Sequence, residues 1–80
     1  MSVFEELKKI VAEIKDIPED AITLSSRFEE DLEADSLDVM EMLMILEEKY
    51  DILIPEDETE NIKTVGEVVE FIEAILKKQS

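Results

Sequence analysis

Eighty residues carrying 23 Asp plus Glu against 8 Lys plus Arg have a formal net charge of −15. That balance argues against nucleic acid and against stable membrane association, because polyanions and anionic bilayers both bind basic patches. Cys and His are absent, which excludes disulfides, thiolate nucleophiles, imidazole bases and His/Cys metal sites, and with them most enzyme classes.

A chain of this length holds one core, so residues 1–80 are expected to form a single domain. An apolar content of 45% is too high for an acidic disordered tail. Without disulfides the fold rests on a modest core and should be marginally stable. The negative charge favours basic protein partners, reached through long-range attraction, and a monomer is expected. No signal-peptide-like or membrane-length apolar run interrupts the sequence, which points to the cytoplasm.

Ser2-Val3-Phe4-Glu5 has the Ser-x-x-Glu form of a capping box. Val3, Phe4, Leu7, Ile10, Val11 and Ile14 then recur at helical spacing, with Glu5, Glu6, Lys8, Lys9 and Glu13 assigned to the outer face. Pro18 should end this first helix, because the residue before a proline is pushed out of the α region. Residues 16 to 34 form a connection long enough to be functional or packed. Ile17, Ile22, Leu24, Phe28 and Leu32 read as its anchors, with a short helical turn around Pro18 to Ala21.

A second helix is predicted from Ser36 to Tyr50, with Asp35 as N-cap and Asp38 at N3, both suited to the positive end of the helix dipole. Val39, Met42, Leu43, Leu46 and Tyr50 fall on one face, the core face. Leu37, Met40 and Met44 fall on another, bordered by Glu41, Glu47 and Glu48. This second stripe either packs under a loop or receives a partner, a use that suits methionine.

Ile52, Leu53, Ile54 and Pro55 make the next connection too apolar to float freely. Asp57 to Ile62 reads as a single helical turn, capped by Asp57 and anchored by Ile62. Thr64-Val65-Gly66-Glu67 is another capping box, and Val65, Val68, Val69, Ile72, Ile75 and Leu76 trace the inner face of the last helix. Lys77 and Lys78 complement the negative end of that helix. The expected fold is all-α: a small bundle of three main helices plus one short helix, with a long connection between the first two main helices.

Ser36 lacks what a hydrolytic nucleophile needs, since the chain has no His and no Gly-x-Ser-x-Gly elbow. No EF-hand pattern occurs, and the sole glycine is Gly66. Weak cation binding around Asp31, Asp35 and Asp38 would be without a preformed site. The remaining role for Ser36 is as a target of another protein's chemistry, and a helix N-terminus favours an added phosphate.

The segment Leu32-Glu33-Ala34-Asp35-Ser36-Leu37-Asp38 closely resembles the Asp-Ser-Leu motif of acyl carrier proteins. The resemblance continues through Glu41, Met44, Leu46-Glu47-Glu48 and Tyr50-Asp51 to Ile54-Pro55, Ile62 and Thr64-Val65. It implies that Ser36 receives a 4′-phosphopantetheine arm from coenzyme A through a phosphopantetheinyl transferase, making the serine an acceptor and the chain a carrier rather than an enzyme. The arm's thiol would hold acyl thioesters for fatty-acid synthesis enzymes. Asp35, Leu37, Asp38, Glu41, Glu47 and Glu48 match positions that recognise basic docking patches on those enzymes, and Met40 and Met44 match apolar contacts beside them.

Acyl chains would be sheltered near Phe28, Leu32, Leu43, Leu46, Ile62 and Ile72. A specialised acyl cargo (polyketide or D-alanyl) shares the same attachment chemistry, and an unmodified acidic helical adaptor using Met40 and Met44 is the alternative outside the family. The chain departs from the family's usual pattern at Glu33, where glycine is usual. If that position adopts positive φ, Glu33 bears a strain cost; if not, it only adds charge. The first helix likewise ends through Lys15-Asp16-Ile17-Pro18, without the glycine common there.

Overall fold

In a computed structural model, which describes residues 2–79, the chain is helical throughout its ordered elements. The long helices are α1 (Val3–Lys15), α2 (Ser36–Tyr50) and α4 (Val65–Gln79); α3 (Glu56–Thr59) is a single turn, and a 3-10 turn spans Glu19–Ala21. α1 packs against both α2 and α4. Leu7, Val11, Met42, Leu46, Val65, Val68 and Ile72 are the large side chains sealed most completely between them.

The helix starts follow the capping chemistry read from the sequence. Ser2 Oγ accepts the Glu5 N–H at 3.2 Å. At α4, Thr64 Oγ1 accepts from the Glu67 N–H at 3.2 Å while Glu67 Oε1 accepts from the Thr64 N–H at 3.0 Å. The α1 C-terminus differs from expectation. It stops at Lys15, before proline geometry acts, because Asp16 turns left-handed (φ 54°) and the Asp16 and Ile17 amides both close back onto the Ala12 carbonyl. α2 ends the same way, with Asp51 left-handed (φ 53°) and the Asp51 and Ile52 amides on the Glu47 carbonyl. In both cases a six-to-one bond joins the five-to-one bond on the same carbonyl and closes the last turn, and aspartate takes the conformation that glycine usually supplies. α3 begins at Glu56 behind Pro55, not at a capping Asp57.

The long connection is packed along its backbone. Phe28 N donates to the Lys63 carbonyl (3.1 Å), Val65 N to the Ser26 carbonyl (3.0 Å) and Gly66 N to the Leu24 carbonyl (2.8 Å). Arg27 and Thr64 form an isolated antiparallel bridge. Ile22, Phe28 and Leu32 are buried as anchors, and Ile17 is half-buried. Leu24 corrects the expectation: its side chain is exposed, and it anchors through its carbonyl instead. A Cβ on Gly66 would lie 2.9 Å from that carbonyl oxygen, so this close backbone approach accounts for the glycine.

Glu6 also departs from expectation. Assigned to the outer face of α1, it is buried and bonded to Lys49 of α2 at 2.6 Å. The outward stripe of α1 is therefore broken where α2 lies against it. The Lys49 ammonium is the main cause holding the Glu6 carboxyl below its ordinary range. A depressed folded-state pKa stabilises the fold above the unfolded-state value, about 4.3 for glutamate, and the contribution is lost as pH falls through the folded value. The urea midpoint of Glu6→Gln is therefore expected to lie below wild type at pH 7. The two midpoints should converge as pH falls through the folded-state value; a gap that persists once Glu6 is protonated in both states would show that Glu6 acts through packing.

Candidate functional site

Ser36 is the first residue of α2 and is exposed. The start of that helix is fixed by a complete capping box: Asp38 N donates to Asp35 Oδ1 at 3.0 Å, and Asp35 N donates to Asp38 Oδ2 at 3.3 Å. The cap uses its neighbours, so the Ser36 hydroxyl enters none of these bonds. The other serines among the described residues are engaged. Ser2 caps α1, while Ser26 Oγ accepts the Thr23 N–H at 2.9 Å and the Ser25 hydroxyl lies 3.1 Å from that of Thr23.

Just before the cap, Glu33 has φ 54°. Of the three left-handed non-glycine residues among those described, two are aspartates, which tolerate this region; Glu33 is the residue whose side chain gains nothing from it. The conformation ends the turn in which the Asp31 and Leu32 amides meet the Arg27 carbonyl and the Ala34 amide meets that of Phe28 at 2.7 Å. Glu33→Gly should stabilise the fold by about 1 kcal/mol, the left-handed penalty less the extra freedom glycine gives the unfolded chain. An unchanged or lower urea midpoint would count against it.

Ser36 is one of the residues lining a cleft of about 480 Å³. Phe28, Val39, Met40 and Ile62 supply its apolar wall, and Arg27, Thr59, Glu60 and Lys63 are among its polar residues. Its size is that of a pocket for a small organic group. Of the six residues expected to shelter an apolar chain, Phe28 and Ile62 line this cleft. Leu32, Leu43, Leu46 and Ile72 are buried in the packed core. The combination of an exposed hydroxyl, a helix N-terminus and a partly apolar channel suits a phosphate-linked flexible arm.

The two faces of α2 separate as the spacing predicted. Met42, Leu43 and Leu46 are buried, with Val39 and Tyr50 half-buried. Leu37, Met40 and Met44 are 72%, 46% and 62% exposed, so the stripe does not pack under a loop. Asp35, Glu41 and Glu48 are exposed around it. Asp38 and Glu47 are only half-exposed, and both are engaged internally. Glu47 Oε2 accepts the Ile54 N–H at 2.8 Å, pinning the connection to α3. Asp38 Oδ2 also accepts from Lys15 Nζ at 3.0 Å, and that bond chiefly holds its carboxyl below the ordinary range.

Sequence reasoning missed Lys15, because a lysine ending one helix carries no sign that it reaches the start of another. It also missed Thr59 and Lys63, which the cleft gathers from the end of α3 and the segment after it. Asp31 is bound by Arg27 through Oδ2 at 2.8 and 3.1 Å. Among the described residues, no three acidic side chains converge to hold a metal ion. No helix among them is long and apolar enough to cross a membrane.

Comparison with known proteins places this geometry among related chains. A family profile described as "Phosphopantetheine attachment site" matches residues 5–72. An acyl carrier protein of Sulfurovum sp. is 48% identical over 94% of this chain and 100% of its own length. That of Helicobacter hepaticus is 51% identical over 92% of this chain and 97% of its own. The solved acyl carrier protein of Enterococcus faecalis superposes with a TM-score of 0.78 at 33% identity, covering 94% of this chain and 99% of that one.

Proposed function

The chain belongs to the acyl carrier protein family, and from that premise we propose that Ser36 is its attachment serine within a single carrier domain spanning residues 1–80. The protein is a non-catalytic carrier that bears 4′-phosphopantetheine and serves fatty-acid synthesis. It works with a phosphopantetheinyl transferase and with fatty-acid enzymes. When attached, the arm supplies a terminal thiol that carries acyl groups as thioesters.

One observation carries the assignment. Ser36 is exposed, its hydroxyl is outside the capping bonds, and it lines the 480 Å³ cleft. Asp35 and Asp38 hold the first turn of α2, so the hydroxyl is presented from a fixed position. The helix N-terminus offsets the charge of an attached phosphodiester. Phe28, Val39, Met40 and Ile62 would line the path of the arm, with Thr59 and Lys63 offering polar contacts.

The partner surface is Asp35, Leu37, Asp38, Met40, Glu41, Met44, Glu47 and Glu48. Exposed Leu37, Met40 and Met44 give it an apolar centre, and the carboxylates give it a charge complementary to basic docking patches. The chain acts as a monomer in the cytoplasm. Intact-mass measurement after incubation with coenzyme A and a phosphopantetheinyl transferase tests the assignment. A gain of one phosphopantetheinyl group supports the carrier, whereas an unchanged mass with active transferase supports the unmodified adaptor.

A further inference from the structure

We propose that Lys15 is a specificity-determining residue of the recognition surface: its ammonium is bonded to the Asp38 carboxylate beside Ser36, so a cationic side chain of a partner is received there only against its repulsion. The inference rests on the reading of Ser36 and its surroundings given above. Lys15 lies in the last turn of α1, where a cation already suits the helix dipole. That accounts for a lysine, yet not for where its ammonium goes. Nζ reaches an oxygen 23 positions along the chain, at 3.0 Å, in the first turn of α2.

Asp38 Oδ2 carries two bonds, from Lys15 Nζ and from the Asp35 amide. Neither uses Oδ1, so the carboxylate can still receive a second cation, at the cost of like-charge repulsion from Lys15. The exposed Asp35, Glu41 and Glu48 are approached without an internal competitor in the described ion pairs. With 8 basic residues against 23 acidic ones, screening this one carboxylate weakens a particular point of a surface otherwise attractive to cations. The side chains of the pair are 24% and 27% exposed, and partly solvated pairs of this kind are weak. Lys15 therefore discriminates without closing the surface. Partners that place a cation on Asp38 are handicapped relative to those that use Asp35, Glu41 and Glu48.

The test is the steady-state modification of the full chain by a phosphopantetheinyl transferase at low salt. Lys15→Gln should raise kcat/KM about three- to fivefold through KM, the scale of a weak ion pair. Lys78→Gln makes the same change in net charge at an exposed site on α4 and should leave KM within about 1.5-fold, since remote charge acts only through long-range steering. Lys15→Arg should retain the wild-type KM, and Asp38→Asn should abolish the gain from Lys15→Gln.

A Lys15→Gln KM that is unchanged, or no lower than that of Lys78→Gln, overturns the proposal. So does an undiminished gain in the Asp38→Asn background. Wild-type mass separates the two levels of inference. If wild type is not modified, the reading of Ser36 fails; if it is modified and KM is indifferent to Lys15, only the present proposal fails.

Discussion

Ser36→Ala is expected to fold like wild type and to gain no mass in the presence of coenzyme A and an active phosphopantetheinyl transferase. The two halves of that result have separate causes. α2 is capped by Asp35, and the reciprocal bond comes from Asp38, so removing Oγ breaks neither. Ser36 is exposed, and alanine is a better helix former than serine. The unfolding midpoint should therefore stay within about 0.5 kcal/mol of wild type, the usual range for a surface substitution. The loss of modification should be complete, because an alanine has no oxygen to accept the phosphoryl group. Ser2, Ser25 and Ser26 are poor substitutes, each already engaged in a cap or turn. Mass gain retained in Ser36→Ala would place the attachment elsewhere and overturn the assignment.

Leu46→Ala carries the largest expected effect on stability. Leu46 is completely buried on the core face of α2. Truncating such a leucine removes its transfer free energy and leaves a cavity, at a cost of about 2–5 kcal/mol. In a single-core domain of this size, whose total stability lies at the low end of about 5–15 kcal/mol, the melting temperature should fall by roughly 10–30 °C. Met44, two residues earlier on the same helix, is 62% exposed. Met44→Ala should leave stability within about 0.5 kcal/mol and instead weaken partner binding. Equal melting temperatures for the two variants would mean that α2 does not divide into a core face and a partner face.

Much of this was legible before any coordinates. The Thr-x-x-Glu box and the Ser2 cap, the one half of the Ser-x-x-Glu box that forms, start helices because their bonds are local, made within a few residues of sequence. The Asp35–Asp38 box could be anticipated for the same reason. The two stripes of α2 followed from about 3.6 residues per turn, and the Asp-Ser-Leu neighbourhood identified both the family and the candidate serine. The departure at Glu33 was visible too, but not its consequence: only the backbone showed the positive φ that makes glutamate costly there.

What the sequence by itself determined was therefore local: where helices start, which faces are apolar, and which chemistry the absence of Cys and His removes. The tertiary structure decided which residues distant in sequence meet. Glu6, assigned to solvent, is buried because α2 brings Lys49 over it. Leu24 serves through its carbonyl because the long connection runs against Gly66. The cleft beside Ser36 joins residues from the connection, α2, the end of α3 and the segment after it. Lys15 meets Asp38 because α1 ends beside the start of α2. Capping and amphipathic spacing act over one or two turns and can be read from a string of residues. An ion pair between helices depends on how those helices cross, which is fixed only when the core has packed.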